Sequence, residues 1–348
     1  MTRNIAGVVL ALITLIGCDP VAQDDDDDSP PPDIELACDR DYYPAVRAIV
    51  EAAEQTIDVA QWEFFSSPST NRLVAILNNA VERGVSVRVL FDESVEQNEG
   101  AVQLFEAYGI EASLDSSTSR AVHVKMIVAD GHSAVVGSTN WSSAALDDNR
   151  ECNLILRTGQ APAYFDAWFA QLWQDSGVRE APTLDQADGL PGLGLVNDDL
   201  LPHLLARIEE AGDSIDFTLY ATYLQPSNPS APAMQVFSAL SDAAARGVTV
   251  RGVADFTEWN PGNNDSNQDA VTWLRDRDIT MRWDDPNTNM HAKTFRIDDG
   301  LQVQSANVSS GGLSQNHEGA VWTEDAQVLS NWSDWWNGLW ENSTHIRP

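Results

Sequence analysis

Two stretches of this sequence carry the same reactive side chains at the same spacing: Val122-His-Val-Lys-Met-Ile-Val-Ala-Asp-Gly131 and Met290-His-Ala-Lys-Thr-Phe-Arg-Ile-Asp-Asp299. Both read His-x-Lys-x4-Asp, placing His123, Lys125 and Asp130 in one copy and His291, Lys293 and Asp298 in the other. An imidazole can attack phosphorus or deliver a proton near neutral pH, and an ammonium is a compact charge suited to a phosphate oxygen. On a strand, residues two apart share a face, so histidine and lysine are expected to point together while Val124 or Ala292 points away. The aspartate stands at odd spacing beside a turn, Asp130-Gly131 being a hairpin signal between two β-rich runs. It is therefore expected to brace the site rather than touch a substrate. The chain has eighteen arginines but only two lysines, Lys125 and Lys293. Everywhere outside the two motifs, arginine supplies the positive charge.

Each motif is followed by a polar loop, Gly137-Ser-Thr-Asn-Trp141 or Gln304-Ser-Ala-Asn-Val308, and then by an acid, Glu151 or Glu318. Ser138, Asn140, Ser305 and Asn307 can donate to the remaining phosphate oxygens, and a carboxylate can fix the tautomer of a histidine. The motifs belong to a longer internal repeat. Thr56-Ile-Asp-Val-Ala60 matches Ser214-Ile-Asp-Phe-Thr218 at an offset of 158, and the helix end, glycine cap and strand from Ala80 to Arg88 match Ala243 to Arg251 at 163. Trp168, Phe169, Leu172 and Trp173 match Trp335, Trp336, Leu339 and Trp340 at 167. Their helical spacing and their recurrence predict core packing for these tryptophans rather than a membrane belt. The expectation is an α/β protein of two similar units, residues 36–185 and 190–348, joined by a Gly/Pro-containing segment over 188–194. A pseudo-twofold axis would bring the two motifs together.

On these residues the chain resembles the phospholipase D superfamily, marked by a duplicated His-x-Lys-x4-Asp motif followed by Gly-Ser-x-Asn, over nearly all of residues 44–345. The resemblance implies two αβαβα sandwich repeats related by a pseudo-twofold axis, with one active site at their interface. It implies a phosphohistidine intermediate and neither metal nor other cofactor. It assigns catalysis to His123, Lys125, Asp130, Ser138 and Asn140 and to His291, Lys293, Asp298, Ser305 and Asn307, with Glu151 and Glu318 orienting the histidines. By analogy, His123 is the nucleophile and His291 the acid. The second copy departs from the pattern: Gln304 stands where glycine is expected, and the stretch from Asp298 to Ser305 is one residue shorter than that from Asp130 to Ser138. The second half is therefore expected to hold phosphate less closely.

Composition sets limits on the partner. With 53 acidic against 20 basic residues, the net charge is −33 and the pI about 4.2. Such a surface repels polyanions, which disfavours nucleic acid. The expected substrate is a phospholipid, zwitterionic rather than anionic. A nuclease acting through a local arginine strip and a catalytically silent binding protein are the competing readings. Residues 1–17 read as a secretion signal, and Leu15-Ile16-Gly17-Cys18 resembles a bacterial lipobox, making Cys18 the lipidated first residue of the mature chain. Residues 18–35, with Asp24 to Asp28 and Pro30 to Pro32, read as a disordered tether. The expectation is a monomer anchored to a cell-envelope membrane, on its periplasmic or extracellular face. In that compartment Cys38 and Cys152 either form a disulfide or stay as buried thiols.

Overall fold

A computed structural model describes residues 31–186, 191–258 and 260–347. The expected leader, Cys18, residues 18–30 of the tether and residues 187–190 of the connecting segment lie outside the described residues, while Ile34 and Glu35, expected in a disordered tether, are part of the first strand, paired with Leu156 and Ile155.

In the first repeat the strands are β1 (Ile34–Cys38), β2 (Thr56–Gln61), β3 (Ser86–Phe91), β4 (Glu111–Leu114), β5 (Lys125–Ala129), β6 (Ser133–Gly137) and β7 (Cys152–Leu156). They form one sheet in the order β1-β7-β6-β5-β2-β3-β4. In the second, β8 (Leu193–Val196), β9 (Ser214–Leu219), β10 (Thr249–Ala254), β11 (Thr280–Trp283), β12 (Thr294–Ile297), β13 (Gly300–Gln304) and β14 (Gly319–Thr323) give β8-β14-β13-β12-β9-β10-β11, the same topology. β2, β3 and β4 run parallel, joined through α2 (Pro68–Glu82) and α3 (Asn98–Ala107), and β5 adds antiparallel to β2 as the first strand of a hairpin. The matched helix ends explain the repeat at offset 163. Gly84 and Gly247 close their helices at φ +94° and +99°, where a side chain would be strained. The arginine before each glycine donates to two carbonyls of the preceding helix end, Val50 and Ala53 or Ile208 and Ala211.

The strand faces turned toward the other repeat share one apolar cluster, whose middle layer is α4 (Ala161–Gln174) and α9 (Ala326–Asn342). Trp168, Trp332 and Trp336 are each 1% exposed within it, so these rings serve as core. A separate outer cluster lies under the remaining helices of each repeat. Val124 and Ala292 are buried in the shared cluster, the inward half of the expected alternation. The histidines themselves lie outside regular strand: β5 starts at Lys125, and β12 starts after Lys293. The reason is that the residues before each strand pair across the interface, as described below.

Cys38 faces Cys152 across the antiparallel β1–β7 pair and is joined to it by a disulfide, closing a sequence separation of 114 residues. A cross-link of that span removes much conformational freedom from the unfolded chain. Cys38→Ser, or reduction of the wild type, is expected to lower the unfolding free energy by about 3–5 kcal/mol in guanidinium titrations. A midpoint unmoved by reductant would show that the bridge contributes nothing.

Candidate active site

The chain segment leading into each histidine crosses to the other repeat. The His123 amide donates to the His317 carbonyl (3.0 Å), and the His317 amide to the Ala121 carbonyl (2.8 Å). On the opposite side, the amides of His291 and Ala292 donate to the Arg150 carbonyl at 2.9 and 2.7 Å. His317 and Arg150 immediately precede Glu318 and Glu151. The backbone therefore delivers each glutamate to the histidine of the other half: Glu318 Oε1 is 2.8 Å from His123 Nδ1, and Glu151 Oε1 is 2.9 Å from His291 Nδ1. The His291 contact has hydrogen-bond geometry, and the His123 contact is of nearly the same length.

Both glutamates are fully buried, and each is held at three points. Glu151 accepts from the Ser138 hydroxyl (2.5 Å) and from Asn149 (3.0 Å) besides facing His291. Glu318 accepts from the Ser305 hydroxyl and from Asn316 (3.3 Å) besides facing His123. Burial pushes each carboxyl up, but the facing imidazole, the neighbouring lysine and the serine hydroxyl outweigh it and keep the carboxylate ionised. On the histidines burial is the larger influence: it lowers His123 against the pull of Glu318, and lowers His291 to about 4 against that of Glu151. Burial thus biases both imidazoles toward the neutral form, with Nδ1 of each turned to a carboxylate.

Lys125 and Lys293 are each 2% exposed, deep burial for a lysine. Each ammonium donates to the carbonyl of the histidine two residues before it and lies near an aromatic ring: Lys125 Nζ is 5.4 Å from the Trp62 centroid, and Lys293 Nζ 4.7 Å from that of Tyr220. The same rings flank the histidines, Trp62 at 5.0 Å from His123 and Tyr220 at 4.4 Å from His291. Burial lowers Lys125 to about 8 and Lys293 to about 7, with Glu318 and Glu151 respectively opposing it. Each lysine also depresses the other half's histidine, so the four groups act as one electrostatic site.

A profile of the family described as "Cardiolipin synthase, PLD-like domain" matches residues 46–173 and again 204–340, one match per repeat. The chain belongs to the phospholipase D-like family. Mitochondrial cardiolipin hydrolases are among its relatives, at 30% identity over 131 residues for the mouse protein and 31% over 130 for the human one. A phospholipase D of Rickettsia typhi is 29% identical over 124 residues. These matches cover 37%, 37% and 35% of this chain and 57%, 49% and 58% of the relatives, so the chain spans about half the length of the relatives it matches. A solved phosphatidylserine synthase from Haemophilus influenzae Rd KW20 superposes with a TM-score of 0.74 over 90% of this chain and 88% of that one, at 10% identity. It shares the twofold α/β fold.

In this phospholipase D-like chain the motif aspartates stand apart from the imidazoles. Asp130 sits at the β5–β6 turn with φ +54° and accepts from the amides of Glu54, Gln55 and Thr56 at 2.7–2.8 Å. Asp298, at φ +44°, accepts in the same way from Gly212, Asp213 and Ser214. Burial raises both carboxyls slightly, but three amide donors outweigh it, leaving them below the ordinary range. They pin each hairpin to the start of its central strand, the bracing role expected from their spacing. Ser138 and Ser305 differ from expectation: their hydroxyls donate to the glutamates rather than lying free for a phosphate. The side-chain oxygens of Asn140 and Asn307 are buried and unpartnered.

The departure at Gln304 has a packing explanation. A side chain at Gly137 would collide with the Cys152 carbonyl and the Asn153 side chain, at 2.4 and 2.5 Å. In the second repeat the residue paired with Gln304 is Ala320, where the first pairs Gly137 with Asn153. The bulky amide has moved to the neighbouring strand, and Gln304 satisfies itself on the Ala306 carbonyl at 2.7 Å. The smaller Ala320 leaves room for Gln304, where Cys152 and Asn153 would collide with any side chain at Gly137.

Four further positioning residues were not found from the motif. Asp92 accepts from the amide of Val122 (2.5 Å) and Asp255 from that of Met290 (2.8 Å), fixing the residue before each histidine. Asn98 and Asn267 hold the carbonyls of Trp62 and Tyr220 at 2.9 and 2.8 Å. All four lie in the repeated segments, and Asp92 and Asp255 extend the match at offset 163. Glu151→Gln, which keeps the shape but removes the charge facing His291, is expected to lower activity by on the order of 10²–10⁴-fold. Asp130→Asn should instead cost about 1–3 kcal/mol of stability in urea unfolding with a far smaller effect on turnover. The reverse pattern would place Asp130 in the chemistry.

Proposed function

We propose that this chain is a phospholipase D-type phosphodiesterase that cleaves phospholipids through a phosphohistidine, with no divalent cation. The observation that carries this reading is the crossed pair of imidazoles, each backed by the other half's carboxylate and flanked by a buried ammonium. The names of the relatives, cardiolipin hydrolase and phospholipase D, support a phospholipid diester as the substrate class.

In the reaction, Nε2 of one neutral histidine attacks phosphorus in line, forming a P–N bond as the P–O bond to the alcohol breaks. The other histidine, whose proton affinity rises when the anionic diester enters beside its carboxylate, takes up a proton from solvent and, as the imidazolium, delivers it to that oxygen. The same imidazole, now neutral, takes a proton from water, or from an alcohol in a transfer reaction. The resulting oxygen nucleophile breaks the P–N bond and restores both residues. Lys125 and Lys293 offset charge growing on the non-bridging oxygens, the work a metal would otherwise perform. The acids that orient the imidazoles are Glu151 for His291 and Glu318 for His123, and Ser138 and Ser305 act through those acids. We take His123 as the nucleophile by analogy with the family.

The test is release of alcohol from phospholipid in detergent micelles with EDTA present, beside single-stranded DNA as a second substrate. His123→Ala and His291→Ala, checked for folding by circular dichroism, should each abolish turnover, and acid-quenched wild type should carry phosphorus on histidine. Full activity in either variant would refute the shared site, chelator-sensitive activity the metal-free reaction, and cleavage of DNA alone the substrate class. The ammonium forms of Lys293 and Lys125 exist below their pKa values and are lost as pH rises through about 7 and about 8, so kcat/KM should fall across that range. We also propose membrane anchoring through Cys18 in an oxidising compartment; the Cys38–Cys152 bridge supports the compartment. Cys18→Ser should move the protein from the membrane to the soluble fraction, and unchanged fractionation would exclude the anchor.

A further inference from the structure

The two halves of the site differ at the position after their matched aromatic residues. Trp62 and Tyr220 correspond at the ends of β2 and β9, but the next residue is Glu63 in the first half and Ala221 in the second. Glu63 is partly exposed beside a partly exposed Trp62, receives a hydrogen bond from the Asn140 side chain and interacts electrostatically with Lys125 and Glu151. No step of the reaction above uses it.

Charge balance for Lys125 does not account for this residue. Lys125 already interacts with Glu318 more strongly than with Glu63. Lys293, equally buried at 2% exposure, has an alanine in the corresponding place. A third carboxylate in a site that must receive an anionic diester weakens binding unless the substrate brings a positive charge of its own. Burial pushes the Glu63 carboxyl up, as expected of an acid that lacks a full counter-charge. Glu63 and the Trp62 ring both lie near Lys125, Nζ being 5.4 Å from the ring centroid, and a carboxylate and an indole in one site can hold an ammonium group through ion pairing and cation–π attraction together.

We propose that Glu63 and Trp62 form a subsite for the ammonium group of the diester's alcohol, so that the preferred substrate is a zwitterionic phosphodiester and diesters of neutral or anionic alcohols are disfavoured. The proposal rests on the phosphodiesterase reading above. Tyr220 and Ala221, with no such acid between them, leave the opposite side to an uncharged substituent.

The experiment compares phosphatidylcholine with the phosphatidyl ester of 3,3-dimethylbutanol, its uncharged isostere, each dilute in neutral detergent micelles. Wild type should favour the choline ester by about tenfold in kcat/KM, the scale of one ion-pair or cation–π contact in a partly desolvated site. Glu63→Gln should bring that ratio close to one by raising KM for the choline ester. An unchanged ratio in Glu63→Gln, or equal use of both esters by wild type, overturns the subsite and leaves the phosphodiesterase reading intact. Failure of folded wild type to cleave either ester refutes both. Should Glu63→Gln fail to fold, inhibition of wild type decides: free choline should compete with substrate where 3,3-dimethylbutanol does not, and equal inhibition by the two excludes the subsite.

Discussion

The site depends on one exchange: each half of the molecule holds the other half's histidine. The Glu151–His291 and Glu318–His123 contacts are only the visible ends of it. Beneath them, backbone hydrogen bonds tie the segment before each histidine to the residue before the opposing glutamate, and a common apolar cluster presses the two sheets against α4 and α9. A buried carboxylate is costly unless its lone pairs are filled, and here serine, asparagine and imidazole fill them. Removing one partner exposes the rest of the network to that cost. The arrangement therefore stabilises the interface and aligns the imidazoles by the same contacts.

Around that exchange the twofold pattern is kept where geometry matters and broken where it does not. Asp92 and Asp255, Asn98 and Asn267, and the two hairpin aspartates occupy equivalent places and hold equivalent backbone groups. Gly137 with Asn153 in one half and Gln304 with Ala320 in the other place the larger amide on opposite strands of the pair. Glu63 against Ala221 is a different kind of break, because it changes charge rather than shape. It makes the two sides of the shared site electrostatically unlike.

Much of this was legible in the sequence because the repeat announces it. Matched offsets gave the two units, the spacing of the tryptophans gave their burial, and the turn residues beside Asp130 gave its bracing role. What could not be read were contacts between distant segments. Nothing local to Glu151 says that its imidazole is 140 residues away in the other half. The serines showed their hydroxyls but not that Glu151 and Glu318 would engage them. Asp92 and Asp255 act on backbone amides, which leave no residue-type trace at the receiving end. Period-two spacing placed histidine and lysine on a strand, whereas pairing across the interface draws the histidines off its end.

The scarcity of lysine has a practical side. Every ε-amine of this sequence lies in the reaction centre, deeply buried and with its proton affinity reduced. Reagents that modify amines find no ε-amine on the outer surface, where arginine carries the positive charge. Random amine coupling to a support or dye is correspondingly poor, whereas a small aldehyde carrying a phosphate would be drawn to these two residues. The protein thus comes with its centre already chemically distinguished from the rest of its surface.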